Sequence, residues 1–223
     1  MTKEVDYFNL GWDTPIKQAY RERCIINPYR ELFNRESLPD DLWYWSICGN
    51  MQPSDGQDSG GRDGVEIGQL VKSGLIRPSQ FMGVDRDKEI INRNRMLWPE
   101  AHWITGNFSD VLHRDTKRKP AIIHADTTNL LGNVVGMVGD IIAYVEELDI
   151  EVMVVVNSLS QRWIDTLQDR QPNHDAFIDA IHKFIMSLHW EVDSIVDLSP
   201  GGKERAKCEM ITYTFYHRRL RGL

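Results

Sequence analysis

The stretch Trp190-Glu191-Val192-Asp193-Ser194-Ile195-Val196-Asp197-Leu198, followed by Pro200-Gly201-Gly202 and by Cys208 through Tyr216, decides the fold. Trp190 to Leu198 is β-prone. Pro200-Gly201-Gly202 is a turn, because proline presets φ and glycine takes the conformations other residues avoid. From Cys208 to Tyr216, Met210, Thr212 and Thr214 alternate with Ile211, Tyr213 and Phe215, the two-residue period of a strand. No helix fits between the two runs, so they are expected to pair as an antiparallel hairpin.

Upstream of the hairpin, strands and helices alternate. Leu42 to Cys48 is aromatic and reads as a strand, followed by a long loop, 49–64, rich in Gly, Asp, Ser and Pro. Val65 to Ser73 reads as a helix stopped by Gly74, Phe81 to Asp85 as a strand, and Lys88 to Trp98 as a helix that ends at Pro99. Strands follow at Ala101–Thr105 and Ala121–Ala125; the second is almost wholly apolar, as a strand covered on both faces should be. A helix over Val134–Leu148 leads to the strand Glu151–Val156. Asp175 to His189 carries Phe177, Ile178, Ile181, Phe184, Ile185 and Leu188 at helical spacing. Parallel strands joined by helices and closed by an antiparallel hairpin make an α/β fold. Residues 1–41 are polar and aromatic, punctuated by Pro15, Pro28 and Pro39. Thr14-Pro15 is a helix start, and the helix is expected to run through Arg23 or a little beyond. The expected organisation is an N-terminal helical extension, 1–41, and one main domain, 42–223.

The 223 residues are enough to bury a substantial core. A formal charge of −7 gives the whole chain no basic footprint of the kind duplex nucleic-acid binders show. Basic clusters at Arg21–Arg30, Arg114–Lys119 and His217–Arg221 read as solvated faces. Cys24, Cys48 and Cys208 are odd in number and in no CxxC spacing, so neither a disulfide framework nor a metal site is expected, and a reducing cytoplasm is the simplest home. No run of about 18 apolar residues occurs, so the expectation is a soluble, unexported protein.

Four loops carry the chemistry. Asp85 ends its strand at the mouth of an open sheet, where a carboxylate can accept hydrogen bonds from two vicinal ribose hydroxyls. The alternative is a helix cap: Asp85 or Asp87 stands before the helix at Lys88. After the first strand comes Ser46-Ile47-Cys48-Gly49-Asn50-Met51, leading into the glycine-rich loop, which is either a ligand clamp or a surface loop. After the strand at Ala101 comes Gly106-Asn107-Phe108; Asn107 is either an amide for ligand recognition or a left-handed turn residue. After the strand at Ala121 comes Asp126-Thr127-Thr128-Asn129, at the topological switch point where open α/β sheets bind ligands. His124 reads as a buried core histidine.

This order of elements, with these four loops, resembles the class I S-adenosylmethionine-dependent methyltransferases over roughly residues 42–217. The resemblance implies a three-layer αβα sandwich around a seven-stranded sheet in the order 3-2-1-4-5-7-6, its last strand antiparallel. It implies S-adenosylmethionine as cofactor, held by Ser46, Gly49, Asp85, Arg86, Asn107, Phe108 and Asp126, with Asp85 on the ribose and Asn107 and Phe108 beside the adenine. It implies methyl transfer to an acceptor, a small molecule, protein or nucleic acid, with Asp126 as the catalytic base. Asn157-Ser158-Leu159-Ser160 and Trp163 are further candidates to line the acceptor pocket. The chain departs from the family in lacking GxGxG after its first strand, where Ser46 stands near the usual acidic position. No Asp/Asn/Ser-Pro-Pro-aromatic run and no Pro-Cys follow the strand at Ala121, so the signatures of exocyclic-amine and cytosine-C5 methylation are missing. Three readings stand beside methyl transfer: a catalytically inactive binding or regulatory protein of this fold, a nicotinamide-dependent oxidoreductase, and another enzyme using the same cofactor.

Overall fold

The computed structural model describes residues 15–48, 65–114, 117–126, 131–159, 191–198 and 210–217. Thr14, Gly49 with the loop to residue 64, Thr127 to Asn129, Ser160, Trp163, the helix expected over 175–189, the Pro200 turn and Cys208 lie outside the described residues. In chain order the helices are α1 (Pro15–Arg21), α2 (Asn27–Phe33), α3 (Glu66–Lys72), α4 (Lys88–Leu97), α5 (Phe108–Leu112) and α6 (Leu131–Leu148). The strands are β1 (Trp43–Ile47), β2 (Phe81–Asp85), β3 (His102–Thr105), β4 (Pro120–Asp126), β5 (Val152–Leu159), β6 (Glu191–Leu198) and β7 (Met210–His217). They hydrogen-bond in the order β3-β2-β1-β4-β5-β7-β6, mostly parallel, with β7 antiparallel to both β5 and β6. β6 and β7 do pair antiparallel, as expected of these two runs.

The chain packs as two compact units. One comprises Met1–Asp40 and Cys48–Gly106, the other Asp41–Ile47 and Asn107–Leu223.

In the first unit the N-terminal helix continues well past Arg23. It passes through a π-helical turn, Glu22–Ile26, into α2. The reason is Pro28, which has no N–H to give. It sits in the first turn of α2, where no donor is needed. The preceding turn widens, so that Asn27 N–H reaches Glu22 O instead of the carbonyl four residues back. Asn34, left-handed at φ 50°, ends α2. Cys24, Ile25 and Ile26 are fully buried. Arg30 Nη2 donates to the Ser73 carbonyl at 2.6 Å, and Gln69 Nε2 to Gln18 O at 2.8 Å, which tie the N-terminal helices to α3. Gly74 stops α3 at φ 76°, as expected. β2 and β3 pair in parallel, Asp85 opposite Thr105. Gly83 has ordinary strand backbone but no room for a side chain: a Cβ there would run into the Trp103 ring and lie 2.8 Å from Cys48 Sγ.

In the second unit β1, β4 and β5 are parallel neighbours. Register sorts their residues into two faces. Trp45, Ile123 and Ala125 share one, and Trp45 packs there on Phe108 of α5 and Tyr144 of α6, with ring centroids 6.4 and 5.7 Å apart. Tyr44, Ser46, His124 and Asp126 share the other. The short helix α5 was not expected; Phe108, Val111 and Leu112 recur at i, i+3 and i+4 and are all buried, which is what makes that turn continue as helix. β5 runs to Leu159, beyond the expected Val156, because β7 supplies partners as far as Met210. Among the described residues no helix is long and apolar enough to cross a membrane.

Candidate functional site

Asp85 is partly buried at the carboxyl end of β2. Its Oδ1 accepts the Asp87 N–H at 2.8 Å, and its carbonyl accepts the Gly106 N–H at 2.9 Å, so both the side chain and the strand end are pinned. The cap of α4 is Asp87, not Asp85: Asp87 Oδ1 accepts from Glu89 N at 2.8 Å and Ile90 N at 3.4 Å. Asp85 therefore does not cap the helix; its carboxylate closes the turn before it. Burial raises its pKa above the ordinary carboxylate value; the Asp87 N–H works against that rise, and the Asp87 charge adds to it. Arg86 is exposed.

Beneath Asp85 lies a buried polar group that sequence reasoning did not collect: Cys48, Glu66 and Asn94. Cys48 is 2% exposed, and its thiol reaches the Val84 carbonyl at 3.7 Å. Burial pushes this thiol well above its usual range, the charges of Asp85 and Glu66 push it further, and hydrogen bonds from its own backbone and from Asn94 offset part of the rise. A thiol held in this way ionises reluctantly, unlike the electropositive, exposed settings that activate cysteines. A signal for Asn94 did exist. It sits at helical spacing with Ile91 on α4 and with Trp98 just past its end, and all three are buried. Cys24 is likewise buried, its thiol raised to about 11 by burial.

The second carboxylate, Asp126, is partly buried at the end of β4. It is held differently. Asn157 of β5 stands directly opposite it, and Asn157 Nδ2 donates to Asp126 Oδ1 at 3.3 Å. The same nitrogen lies 3.3 Å from His124 Nε2. Asn157 Oδ1 accepts the Thr212 hydroxyl from β7 at 2.9 Å. His124 is buried, as expected of a core histidine, with its ring 6.3 Å from that of Tyr44. Ser46 is fully buried opposite His124 in the β1–β4 ladder. Asn157 belongs to the strand rather than to the loop after it. In the sequence Thr212 shows only as part of an alternating strand, because its contact depends on a pairing 55 residues apart.

Asn107 precedes α5 with φ −80° and ψ 138°, so it is extended and not the left-handed turn residue considered as an alternative. Its carbonyl accepts the Val111 N–H at 3.2 Å and starts the helix. Phe108 is buried, edge-on to Trp45. Among the described residues no three His, Cys, Asp or Glu side chains are grouped as a metal ion would require.

No family model matches the sequence, and no curated protein matches it. Solved structures do match. The plantazolicin methyltransferase BpumL, in complex with a triazolic desmethylPZN analog and SAH, aligns over 92% of this chain and 87% of its own, with a TM-score of 0.54 and 13% identity. BamL, also a plantazolicin methyltransferase with SAH, aligns over 91% and 90%, with a TM-score of 0.53 and 12% identity. The magnesium protoporphyrin IX methyltransferase of Synechocystis PCC 6803, with bound SAM, aligns over 89% and 79%, with a TM-score of 0.51 and 9% identity. Identities this low speak to fold alone. Together with the strand order, they show that the chain has a divergent class I methyltransferase fold.

Proposed function

We propose that the protein binds S-adenosylmethionine and transfers its methyl group to an acceptor that bears an ionisable N–H or O–H. The observation that carries this reading is Asp85. It is a partly buried carboxylate at the carboxyl end of β2, relieved of helix capping by Asp87. Burial penalises its charge, and ribose hydroxyls that donate to it would lift that penalty. The methyltransferases that share the fold were crystallised with SAH or SAM, which supports the same ligand here.

In this reading Ser46, Gly49, Arg86, Asn107 and Phe108 join Asp85 and Asp126 in cofactor binding, and Asp126 is the catalytic base. When bound, the cofactor supplies an electrophilic sulfonium methyl. The chain's own part is to orient the acceptor and to take at Asp126 the proton that the acceptor loses. Residues 1–41 form the extension and 42–223 the methyltransferase domain, with helices layered on both faces of the sheet.

The test is thermal-shift titration with S-adenosylmethionine, S-adenosylhomocysteine and NAD. The adenosyl ligands are expected to raise the melting temperature and NAD to leave it unchanged. Asp85→Ala should abolish the shift, and Asp126→Ala should retain it. No shift with either adenosyl ligand defeats the proposal and leaves a non-catalytic member of the fold.

A further inference from the structure

We propose that Asn157 is the positioning residue of the Asp126 carboxylate, with Thr212 as its anchor and the tautomer of His124 as its fixed counterpart. The inference rests on the reading of Asp126 as acceptor-facing only for its bearing on turnover; the arrangement itself is read from the second unit alone.

Three adjacent strands put Asp126, Asn157 and Thr212 side by side in register. Asn157 is 2% exposed and Thr212 1%, so their polar atoms must find partners inside the fold. An amide side chain has two orientations that differ by exchange of oxygen and nitrogen, and the surroundings decide between them. Here the oxygen faces the Thr212 hydroxyl at 2.9 Å and the nitrogen faces Asp126 Oδ1 at 3.3 Å. The flipped amide would set its oxygen against the Asp126 carboxylate, two acceptors with no proton between them. The carboxylate therefore selects one orientation, and Thr212 locks it from the opposite side.

That orientation has a second consequence. The Asn157 amide nitrogen has only protons to present, and it lies 3.3 Å from His124 Nε2. Nε2 must then be the acceptor, which places the histidine proton on Nδ1. One amide thus holds a carboxylate at the carboxyl end of its strand and fixes the tautomer of the imidazole behind it. A rigid strand residue supported by a second strand is the kind of frame that keeps a reacting group within reach of its partner. Asn157 acts through Asp126 and is not itself a reacting group.

The experiment uses the full ligand-free chain. Long-range proton–nitrogen NMR reads the His124 tautomer, and carbon-detected pH titration reads the Asp126 carboxyl. The wild type is expected to show His124 protonated on Nδ1. Thr212→Val keeps shape and removes the anchor. It is expected to move the Asp126 midpoint upward, and Asn157→Leu to move it further, by about one pH unit, since a donor to the carboxylate is lost. Thr212→Ser should restore the wild-type midpoint. His124 protonated on Nε2, or an Asp126 midpoint unmoved by both Thr212→Val and Asn157→Leu, overturns the proposal. Calorimetric titration of the wild type with S-adenosylhomocysteine is run in parallel: absence of binding sinks the functional reading while the NMR results decide the positioning role on their own.

Discussion

Asp85 and Asp126 each stand at the carboxyl end of a parallel strand, and the chain secures them by opposite means. Asp85 is held from nearby in sequence. Its oxygen takes the N–H two residues on, and the residue that supplies that N–H caps the next helix. Asp126 is held from far away, by an asparagine 31 residues on, which is itself anchored by a threonine 55 residues further. A local turn fixes where a carboxylate is, but leaves its oxygens to backbone and solvent. A cross-strand frame fixes which way the carboxylate faces. The first suits a group that grips hydroxyls, and the second a group that must meet one proton at one angle.

The largest expected effect tests the floor beneath Asp85. Gly83→Ala forces a methyl into the Trp103 ring and against Cys48. Its backbone is ordinary strand, so the penalty is steric, about 3 kcal/mol at the top of the overpacking range. The ~0.5 kcal/mol gained by restricting the unfolded chain does not offset it. Urea denaturation should show a strongly lowered midpoint; a wild-type midpoint would mean that β2 is not clamped as described. Next comes the frame around Asp126. Asn157→Leu leaves the buried Thr212 hydroxyl and His124 Nε2 without the amide, an expected loss of about 2 kcal/mol. A loss smaller than that from removing the Asp87 cap would reverse the contrast between a local and a long-range holder.

The same contrast explains what could be read from the sequence. Phe81–Asp85 was legible to the residue as a strand, because apolar run, terminal acid and following helix are all local signals. Gly74 as a helix stop was legible for the same reason. The pairing of 191–198 with 210–217 follows from the alternation at 210–216 and from the Pro-Gly-Gly sequence between the two runs. The continuation of α1 through Pro28 was hidden, since a proline reads as a break until the π-helical turn before it is seen. Glu66 is hidden because an acidic residue in the first turn of a helix looks solvated until its burial is seen. Asn157 was noticed as a pocket candidate, but Thr212 carried no mark at all: what a threonine does in a strand depends on which strand lies beside it.

Asp87→Ala sharpens the local half of the comparison. It removes the acceptor for the Glu89 and Ile90 N–H groups at the start of α4, a loss of about 1 kcal/mol. The Asp87 N–H that pins Asp85 survives, because it belongs to the backbone. The Asp85 carboxyl should therefore stay in place, and binding of S-adenosylhomocysteine should weaken far less than with Asp85→Ala. Equal loss of binding in the two variants would mean that Asp85 depends on the helix cap and not on the turn.

Asp85→Asn carries the smallest effect and the most specific sign. The amide keeps an Oδ1 acceptor for the Asp87 N–H and removes the charge that burial disfavours. In the unfolded chain this carboxyl titrates near 3.8; in the fold its value is raised, by burial first and by the Asp87 charge as well. Between the two values the native state keeps a proton that the unfolded state has released. Stability therefore falls as pH rises through that window, and the whole penalty is present above the raised value. The asparagine variant escapes it. It should be slightly more stable than the wild type at neutral pH, and the advantage should vanish as pH drops below 3.8. Urea midpoints collected across that range measure the difference directly. An asparagine variant less stable than the wild type at neutral pH would mean that the ionised Asp85 gains more from its turn than burial takes away, and the contrast with the braced Asp126 would then lie in distance along the chain and not in how firmly each charge is held.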